Sequence, residues 1–278
     1  MNIKNHFKNK NILPNKWKQD DRIHHDIIAK EIYDNTVGPA WDQAYEEVTI
    51  DKWISNLKGK YPKLILEYGC GTGESALKMA SKGWQIISFD HSIEMVKKTR
   101  EKATRFSYDN LFYVQGDGER LPFKDYTFDV ITARWILHHI PDVRKAAGEL
   151  CRVLKVGGEL YIAEISSKVS VIEKMIKYIL GGGFLVFNNL TRDRFNKLKI
   201  YKNILPTHER AIDPNIILES LQLHGINYCD FHIPHIPVIY YYSSPKTSKK
   251  FVRILTKVWS AFNYKKATVL IIYGKKRC

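Results

Sequence analysis

Three glycines at alternate positions, Gly69, Gly71 and Gly73, lie between a short apolar run and a helical pattern. Because glycine has no Cβ atom, such a turn allows the backbone to approach a ligand closely. A dinucleotide-binding turn has the spacing GxGxxG, which brings a pyrophosphate to a helix N-terminus. The last position of that pattern is Glu74 here, an anion where the pyrophosphate would lie. The turn therefore favours a ligand without phosphate groups.

Asp90 ends the next apolar run, 17 residues after Gly73. A carboxylate at that point can accept hydrogen bonds from both hydroxyl groups of a ribose. The alternative is an ordinary aspartate at a helix start, where it helps Ser92 to cap the helix. Both interpretations are open at this point.

A third polar turn, Gln115 to Phe123 (QGDGERLPF), follows the third apolar run. Asp117 can accept from an exocyclic amine, and the backbone N–H of Gly118 can donate to a ring nitrogen. The alternative is a plain turn, since Gly-Asp-Gly is good turn chemistry. Because the three polar turns follow three successive strands, one shared ligand explains them better than three unrelated turns do.

Alternating strand and helix patterns must position these residues. Strands are predicted at residues 63–67, 85–89, 111–115, 128–133, 159–163, 226–232 and 267–273, and helices at 74–82, 92–102, 142–154 and 213–223. This alternation predicts an α/β fold with a doubly wound, mostly parallel seven-stranded sheet that has helices on both faces. In such sheets ligands bind at the carboxyl ends of the strands, where all three polar turns fall.

These stretches resemble the class I S-adenosylmethionine (SAM)-dependent methyltransferases, and specifically the type 11 group that includes ubiquinone and menaquinone C-methyltransferases. The matching stretches are LILEYGCGTGE, IISFDHS, VQGDGERLPF, FDVITARWILHHIPD and ELCRVLKVGGELYIAE, which cover roughly Lys63 to Glu164. A weaker match lies in LESLQLHGI. The resemblance implies a Rossmann-like fold, SAM as cofactor, S-adenosylhomocysteine (SAH) as product, and no metal.

The resemblance also implies roles for residues. Glu67 and the glycine turn would hold the methionine and sugar portions, Asp90 the ribose, and Asp117 and Gly118 the adenine, with Ile93 or Met95 packed on the adenine face. The cofactor-binding residues expected in the core are Glu67, Tyr68, Gly69, Cys70, Gly71, Gly73, Asp90, His91, Met95, Asp117, Gly118, Glu119 and Arg134. Tyr33 and Trp41 would close over the cofactor from the N-terminal segment, and aromatic core packing is the alternative for both.

Methyl transfer from a sulfonium mainly requires alignment in a dry pocket, and a general base is needed only where the nucleophile must lose a proton. His138 and His139 follow the fourth strand and are the candidate bases, with ordinary packing of hydrogen-bonded histidines as the alternative. Trp135 is expected either in packing or in the pocket wall near the substrate, and Arg134 could meet an anionic substrate. His208 and Glu209 are further candidate substrate contacts.

The rest of the chain forms appendages to one core. Residues 1–57 are predicted as an N-terminal helical segment closing over the cofactor, 58–165 as the SAM-binding core, 166–212 as a cap insert, and 213–278 as the remaining core elements with a basic insert at 233–266. Within the cap, Val171 to Leu190 could be a lid over an apolar substrate. Lys249 to Tyr264 has the pattern of a basic amphipathic helix, either a membrane-surface segment or a packed cap helix.

Charge and cysteine content restrict the partners. The formal net charge is +15, and Lys246 to Arg277 contains ten Lys or Arg residues and no acidic residue, which favours anionic partners. The four cysteines are widely separated, without a CxxC pair, so a zinc knuckle or redox motif is not supported. With no apolar run of 18 residues and no secretory signal, we expect a cytoplasmic protein, with peripheral contact at the inner membrane face as a further option.

The sequence therefore predicts a methyltransferase for a small lipophilic or anionic acceptor, on O, N or C, presented at a membrane surface in one version of the hypothesis. After the fourth strand, ARWI lacks both the Pro-Pro motif of nucleobase amino-methyltransferases and the Pro-Cys of cytosine C5 enzymes, which disfavours nucleobase methylation. The alternatives are an RNA- or protein-directed methyltransferase that docks through the basic tail, and a non-catalytic SAM-binding subunit. The sequence leaves the oligomeric state open.

Overall fold

The computed structural model describes residues 14–31, 54, 64–167, 211–233, 254 and 269–277. Several predicted features lie outside these residues, namely Tyr33, Trp41, His208, Glu209, the lid at 171–190 and, apart from Ile254, the amphipathic segment 249–264. Among the described residues, no helix is long and apolar enough to cross a membrane.

The described elements alternate as the sequence predicts. The helices are α1 (Pro14–Glu31), α2 (Glu74–Ala80), α3 (Ile93–Arg105), α4 (Val143–Val153) and α5 (Pro214–Leu223), with a single 3₁₀ turn at Leu137–His139. The strands are β1 (Leu64–Tyr68), β2 (Gln85–Asp90), β3 (Leu111–Gln115), β4 (Phe128–Arg134), β5 (Leu154–Ile165), β6 (Ile226–Ile233) and β7 (Val269–Lys276).

The strands form one seven-stranded sheet in the order β3-β2-β1-β4-β5-β7-β6. Neighbours from β3 to β5 pair in parallel, and β7 runs antiparallel to both β5 and β6. The strand order changes direction between β1 and β4, and this is where ligands bind in open α/β sheets. The predicted doubly wound, mostly parallel sheet is therefore confirmed.

Each face of the sheet has its own apolar core. On one face, Leu66, Tyr68 and Phe89 pack with residues of α4 and α5 such as Leu150 and Ile217. The opposite face is covered by small and apolar residues of α2 and α3. Since both faces are buried, the central strands are mostly apolar and show no regular alternation of apolar and polar residues.

The fifth strand begins earlier than the sequence pattern indicates. It starts at Leu154, directly after α4, and contains the Gly157–Gly158 pair, whose local sequence is typical of a turn. Along β4, Phe128 pairs with Leu154 but Val130 pairs with Glu159, so the register shifts across a bulge. Gly157 adopts a φ of +76°, and a Cβ atom on Gly158 would lie 2.8 Å from a backbone carbonyl oxygen. The two glycines therefore mark a bulge inside β5, and the strand begins before them.

Helix α1 packs against the start of α3, close to the carboxyl end of β2. Ile28 and Ala29 form a small apolar cluster with Met95. The Oδ1 atom of Asp26 accepts hydrogen bonds from Ser92 Oγ at 2.5 Å and from the backbone N–H of Glu94 at 3.3 Å. Asp26 thus adds a carboxylate at the N-terminus of α3, where negative charge is favourable.

Replacing Asp26 by alanine should loosen α1 from the core. Hydrogen bonds to a charged group contribute roughly 1.5–3 kcal/mol, so we expect a loss of stability of that order and faster amide hydrogen exchange in residues 14–31. The matched control is Gln19→Ala, which alters an exposed residue of the same helix. If the exchange rates of both variants equal those of the unmodified chain, the Asp26 contact does not hold α1 in place.

Candidate active site

A cleft opens at the carboxyl ends of β1, β2, β3 and β4, and α1 covers one side of it. It is lined by Lys18, Asp21, Tyr68, Gly69, Phe89, Asp90, His91, Asp117, Gly118, Ile136, His139, Ile140 and Pro141. The structure thus brings residues from all three predicted polar turns to one place. Lys18 and Asp21 are additional members from α1 that sequence reasoning did not identify.

The glycine turn after β1 is held by two packing constraints. Gly69 and Gly73 have φ values of +76° and +83°, which favour glycine. A Cβ atom on Gly69 would lie 2.6 Å from Ile136 Cγ1, and one on Gly73 would lie 2.5 Å from Thr99 Cγ2. The turn therefore sits tightly against α3 on one side and against the segment after β4 on the other.

Asp90 connects the glycine turn to the start of α3. Its Oδ2 atom accepts a hydrogen bond from the backbone N–H of Gly71, and its Oδ1 atom accepts one from Ser92, both at 2.9 Å. Burial raises the pKa of Asp90, while these two hydrogen bonds oppose the shift. Asp90 thus stabilises the start of α3, which is the helix-capping role that the sequence offered as one of two interpretations. Each oxygen also retains a second acceptor site that a ligand could use.

The turn after β3 carries two carboxylates that share one lysine. Lys18 Nζ lies 2.7 Å from Asp117 Oδ2 and 2.8 Å from Glu119 Oε2. Burial opposes ionisation of Asp117, but the hydrogen bond from Lys18 leads the contacts that hold its pKa below its usual value. Glu119 also accepts from the backbone N–H of Asp142 at 3.0 Å, just before α4. Glu119 therefore supports the turn, while Asp117 faces the cleft.

Position 118 requires glycine because there is no room for a Cβ atom, and not because of the backbone conformation. A Cβ atom at this position would collide with Oη of Tyr68. Tyr68 is buried and stacks on Phe89 with 5.7 Å between ring centroids. Within the described residues its hydroxyl has no hydrogen-bond partner, and burial raises its pKa so that it stays protonated. A hydroxyl donor thus lies in the cleft wall beneath Gly118.

The two candidate bases occupy different environments. His138 is buried, with Nδ1 2.5 Å from Oε1 of Glu164, and Glu164 also accepts from the backbone N–H of Leu137 at 2.7 Å. His139 lines the cleft, with Nδ1 2.9 Å from Oδ1 of Asp21. The geometry therefore makes His138 a packed residue held by Glu164, as the alternative interpretation held, and places only His139 of the pair in the cleft wall.

Asp21 bridges two histidines. Besides His139 it contacts His25, whose Nδ1 donates to the Asp21 carbonyl oxygen at 2.8 Å and lies 3.4 Å from Oδ2. Burial acts against charge on His25, but Asp21 raises the pKa of His25 to about 9. One ligand atom from each of the three residues falls within 4.8 Å of the others. Such a group could take a metal ion as well as a proton, so the expectation of no metal stays a prediction.

The remaining predicted residues surround the cleft without lining it. Trp135 has a φ of +54° and packs on the α2–α3 face of the sheet, so the chain turns sharply after Arg134 and presents Ile136 to the cleft. Met95 packs against α1. The predicted core-site residues that are not in the cleft wall are Glu67, Cys70, Gly71, Gly73, Met95, Glu119, Arg134, Trp135 and His138.

The arrangement suits a ligand that carries a polar, sugar-like part and a flat ring with a donor group. Asp90 and Asp117 offer charged acceptors, Gly118 and Tyr68 offer donors, and Phe89, Ile136, Ile140 and Pro141 supply apolar walls. A small number of placed polar groups within apolar walls is typical of small-molecule sites.

Comparison with known proteins identifies the domain that carries this cleft. Residues 66–162 match the family model described as "Methyltransferase domain", which is about a third of the chain. The match runs from β1 to β5 and so includes all the described residues of the cleft except those of α1.

Curated proteins similar to this chain include bacterial methyltransferases. The demethylmenaquinone methyltransferase of Thermobifida fusca is 36% identical over 115 residues, which are 41% of this chain and 49% of that protein. The uncharacterized methyltransferase YcgJ of Bacillus subtilis is 34% identical over 116 residues, 41% of this chain and 46% of that protein. The chain thus spans slightly less than half the length of these relatives.

Solved structures extend the likeness of the fold beyond the matched region. The YcgJ crystal structure covers 84% of this chain and 99% of its own, with a TM-score of 0.55 and 23% identity. Phosphoethanolamine N-methyltransferase 2 of Haemonchus contortus, in complex with phosphomonomethylethanolamine and SAH, covers 97% of this chain and 61% of its own, with a TM-score of 0.60 and 16% identity. Residues 66–162 therefore match the methyltransferase domain family, and the sheet around them has the fold of the class I methyltransferases.

Proposed function

We propose that the chain is a SAM-dependent methyltransferase that transfers a methyl group to a small lipophilic acceptor. The observation that carries the proposal is the convergence of Asp90, Asp117 and the glycine turn on one cleft at the switch in strand order. The family match supports the methyltransferase class. The choice of a lipophilic acceptor rests on the cleft walls and on the relatives.

The residues present fit the cofactor. The remaining acceptor sites of Asp90 suit the ribose hydroxyls, and the carboxylate of Asp117 suits the adenine amine. The backbone N–H of Gly118 lies beside that position, together with the Tyr68 Oη atom, which has no hydrogen-bond partner among the described residues. Lys18 holds Asp117 in the structure, so an adenine amine would have to share Asp117 with Lys18 or displace it.

The cofactor supplies a methyl group on a positively charged sulfur. The chain's own contribution is to align the acceptor with that methyl and to exclude water. Ile136, Ile140 and Pro141 form an apolar wall next to His139. Where the acceptor must lose a proton, His139 is the candidate to receive it, because it is the titratable histidine of the predicted pair that reaches the cleft.

The relatives favour a quinone-type acceptor. Among them are demethylmenaquinone methyltransferases and ubiquinone/menaquinone biosynthesis C-methyltransferases. Such acceptors are flat and apolar, and they reside in membranes, so the apolar cleft wall and the basic segment Lys249 to Tyr264 suit one that is taken up at a membrane surface. The transfer would then occur on a ring carbon or a ring oxygen.

The first test measures cofactor binding. We expect Asp90→Asn and Asp117→Asn each to weaken SAH binding about 10-fold or more, because each removes a charged acceptor, whose hydrogen bonds contribute roughly 1.5–3 kcal/mol. Isothermal titration calorimetry with SAH gives the Kd. Asp109→Asn, an exposed aspartate before β3, is the matched control. Unchanged affinity in both site variants, with their folds intact, would place the cofactor elsewhere.

The second test identifies the acceptor. The purified chain is incubated with methyl-labelled SAM and a cell extract separated into organic-soluble, nucleic-acid and protein fractions, with an Asp90→Ala, Asp117→Ala double variant as the blank. We expect label in the organic-soluble fraction, because the cleft wall is apolar. Label in RNA or protein would instead support docking of a macromolecule through the basic tail. No transfer by a chain that still binds SAH would support a non-catalytic subunit.

A further inference from the structure

We propose that Asp21 on α1 is the residue that positions His139 as a proton acceptor, so that the docking of α1 completes the active site. This inference rests on the proposed methyltransferase function and deepens it. Asp21 lies outside the matched methyltransferase domain, 118 residues before His139. The base and its positioning residue would therefore come from two separate parts of the chain.

The contact between the two side chains has the geometry of a positioned base. Asp21 Oδ1 lies 2.9 Å from His139 Nδ1, and both side chains are buried to about nine-tenths. Trp17 on the same helix donates its Nε1–H to the His139 carbonyl oxygen at 2.8 Å. The side chain and the backbone of His139 are thus both held by α1.

This contact sets which ring nitrogen carries the proton. A carboxylate can only accept, and Asp21 is ionised because the hydrogen bonds from His139 and His25 overcome the effect of burial and hold its pKa below the usual value. A neutral His139 must then carry its proton on Nδ1. In the described part of the chain, Nε2 of His139 makes no hydrogen bond, so this nitrogen has its lone pair available.

The second histidine does not meet these conditions. His138 is also held by a carboxylate, that of Glu164, but it does not line the cleft. Glu164 is committed to two backbone N–H groups, of Leu137 and Ile165. The Glu164–His138 pair therefore fixes the segment after β4, while Asp21 and His139 both line the cleft.

The charges around His139 keep it neutral before reaction. Burial leads the effects that lower the pKa of His139, and His138 and His25 add to it, while Asp21 opposes them. The charged and titratable groups that act on it are Asp21 and His25 from α1, His138 from its own segment and Glu164 from β5, and Lys18 of α1 lines the same cleft. A neutral imidazole at pH 7 is the form that can take up a proton.

The step balances without a further reactant. A lone pair of the acceptor hydroxyl attacks the methyl carbon and forms the new O–C bond, while the electron pair of the S–C bond stays on sulfur, which becomes neutral. The hydroxyl proton moves to His139 Nε2, and Asp21 stabilises the resulting imidazolium through Nδ1–H. For transfer to a ring carbon of a quinol, the adjacent ring hydroxyl gives its proton to the same nitrogen, the O–H electron pair forms a C=O bond, and the displaced ring double bond supplies the electrons of the new C–C bond. The methylated ring carbon then loses its C–H proton to solvent, and the carbonyl oxygen regains the proton from His139, which restores the aromatic quinol and the neutral imidazole.

The direct test reads the tautomer of His139 without any substrate. The full-length chain with ¹⁵N-labelled histidine is studied by NMR at neutral pH, and the His139 signals are assigned with His139→Gln. We expect the Nδ1–H tautomer in the unmodified chain and its loss in Asp21→Asn, whose amide can donate to Nδ1. Gln19→Ala, which alters an exposed residue of the same helix, is the matched control and should keep the Nδ1–H form. An Nε2–H tautomer in the unmodified chain would overturn the proposal.

The second readout is kinetic and uses demethylmenaquinol in detergent micelles as the acceptor. We expect Asp21→Asn to lower kcat about 100-fold or more, since general base catalysis contributes roughly 10²–10⁴-fold, with KM and the SAH Kd within about twofold. Asp21→Glu should restore part of kcat. A kcat for Asp21→Asn equal to that of the unmodified chain would overturn the positioning role. If even the unmodified chain does not methylate this acceptor, the acceptor assignment fails, and the NMR result still decides the role of Asp21.

Discussion

The buried carboxylate of Asp90 is the constraint on which the geometry of this site depends. A buried charge is unfavourable unless hydrogen bonds compensate it, and here two backbone N–H groups do so, from Gly71 and from Ser92. These two donors belong to the glycine turn after β1 and to the start of α3. One side chain at the end of β2 therefore fixes the relative position of two segments that a cofactor would contact. The burial that raises the pKa of Asp90 also makes its remaining acceptor sites strong, because few competing waters reach them.

Helix α1 depends on the same rim and adds charged groups to three parts of it. Lys18 reaches the turn after β3, Asp26 reaches the start of α3 after β2, and Asp21 reaches the segment after β4. Each of these groups contacts a partner of complementary charge or polarity at a partly buried position, where such contacts are stronger than on a solvent-exposed surface. The position of α1 thus links the cofactor-binding residues to the candidate base, although α1 is not part of the matched methyltransferase domain.

The sequence predicts the sheet and the cleft from local patterns. Apolar runs followed by polar turns locate all seven strands. The residues at the strand ends, Asp90, Asp117 and the glycines, meet as the topology of a parallel sheet requires.

The start of β5 is wrong in the prediction, because Gly157 and Gly158 form a bulge whose sequence locally resembles a turn. The roles of Lys18, Asp21 and Glu164 are missed, since their contacts join residues 99, 118 and 26 positions apart, and no local pattern records such pairs. An aspartate and a histidine four positions apart on one helix, Asp21 and His25, were a signal that could have drawn attention to α1.

The most direct test of the account is a crystal structure of the chain with SAH. We expect the ribose hydroxyls within hydrogen-bonding distance of Asp90, the adenine amine at Asp117 with Lys18 displaced or shared, and the ring nitrogen at the N–H of Gly118. We also expect His139 to keep its contact with Asp21 beside the sulfur. Density for SAH away from the carboxyl ends of β1 to β3, or a bound SAH that does not contact Asp90 and Asp117, would contradict the assignment of this cleft as the cofactor site.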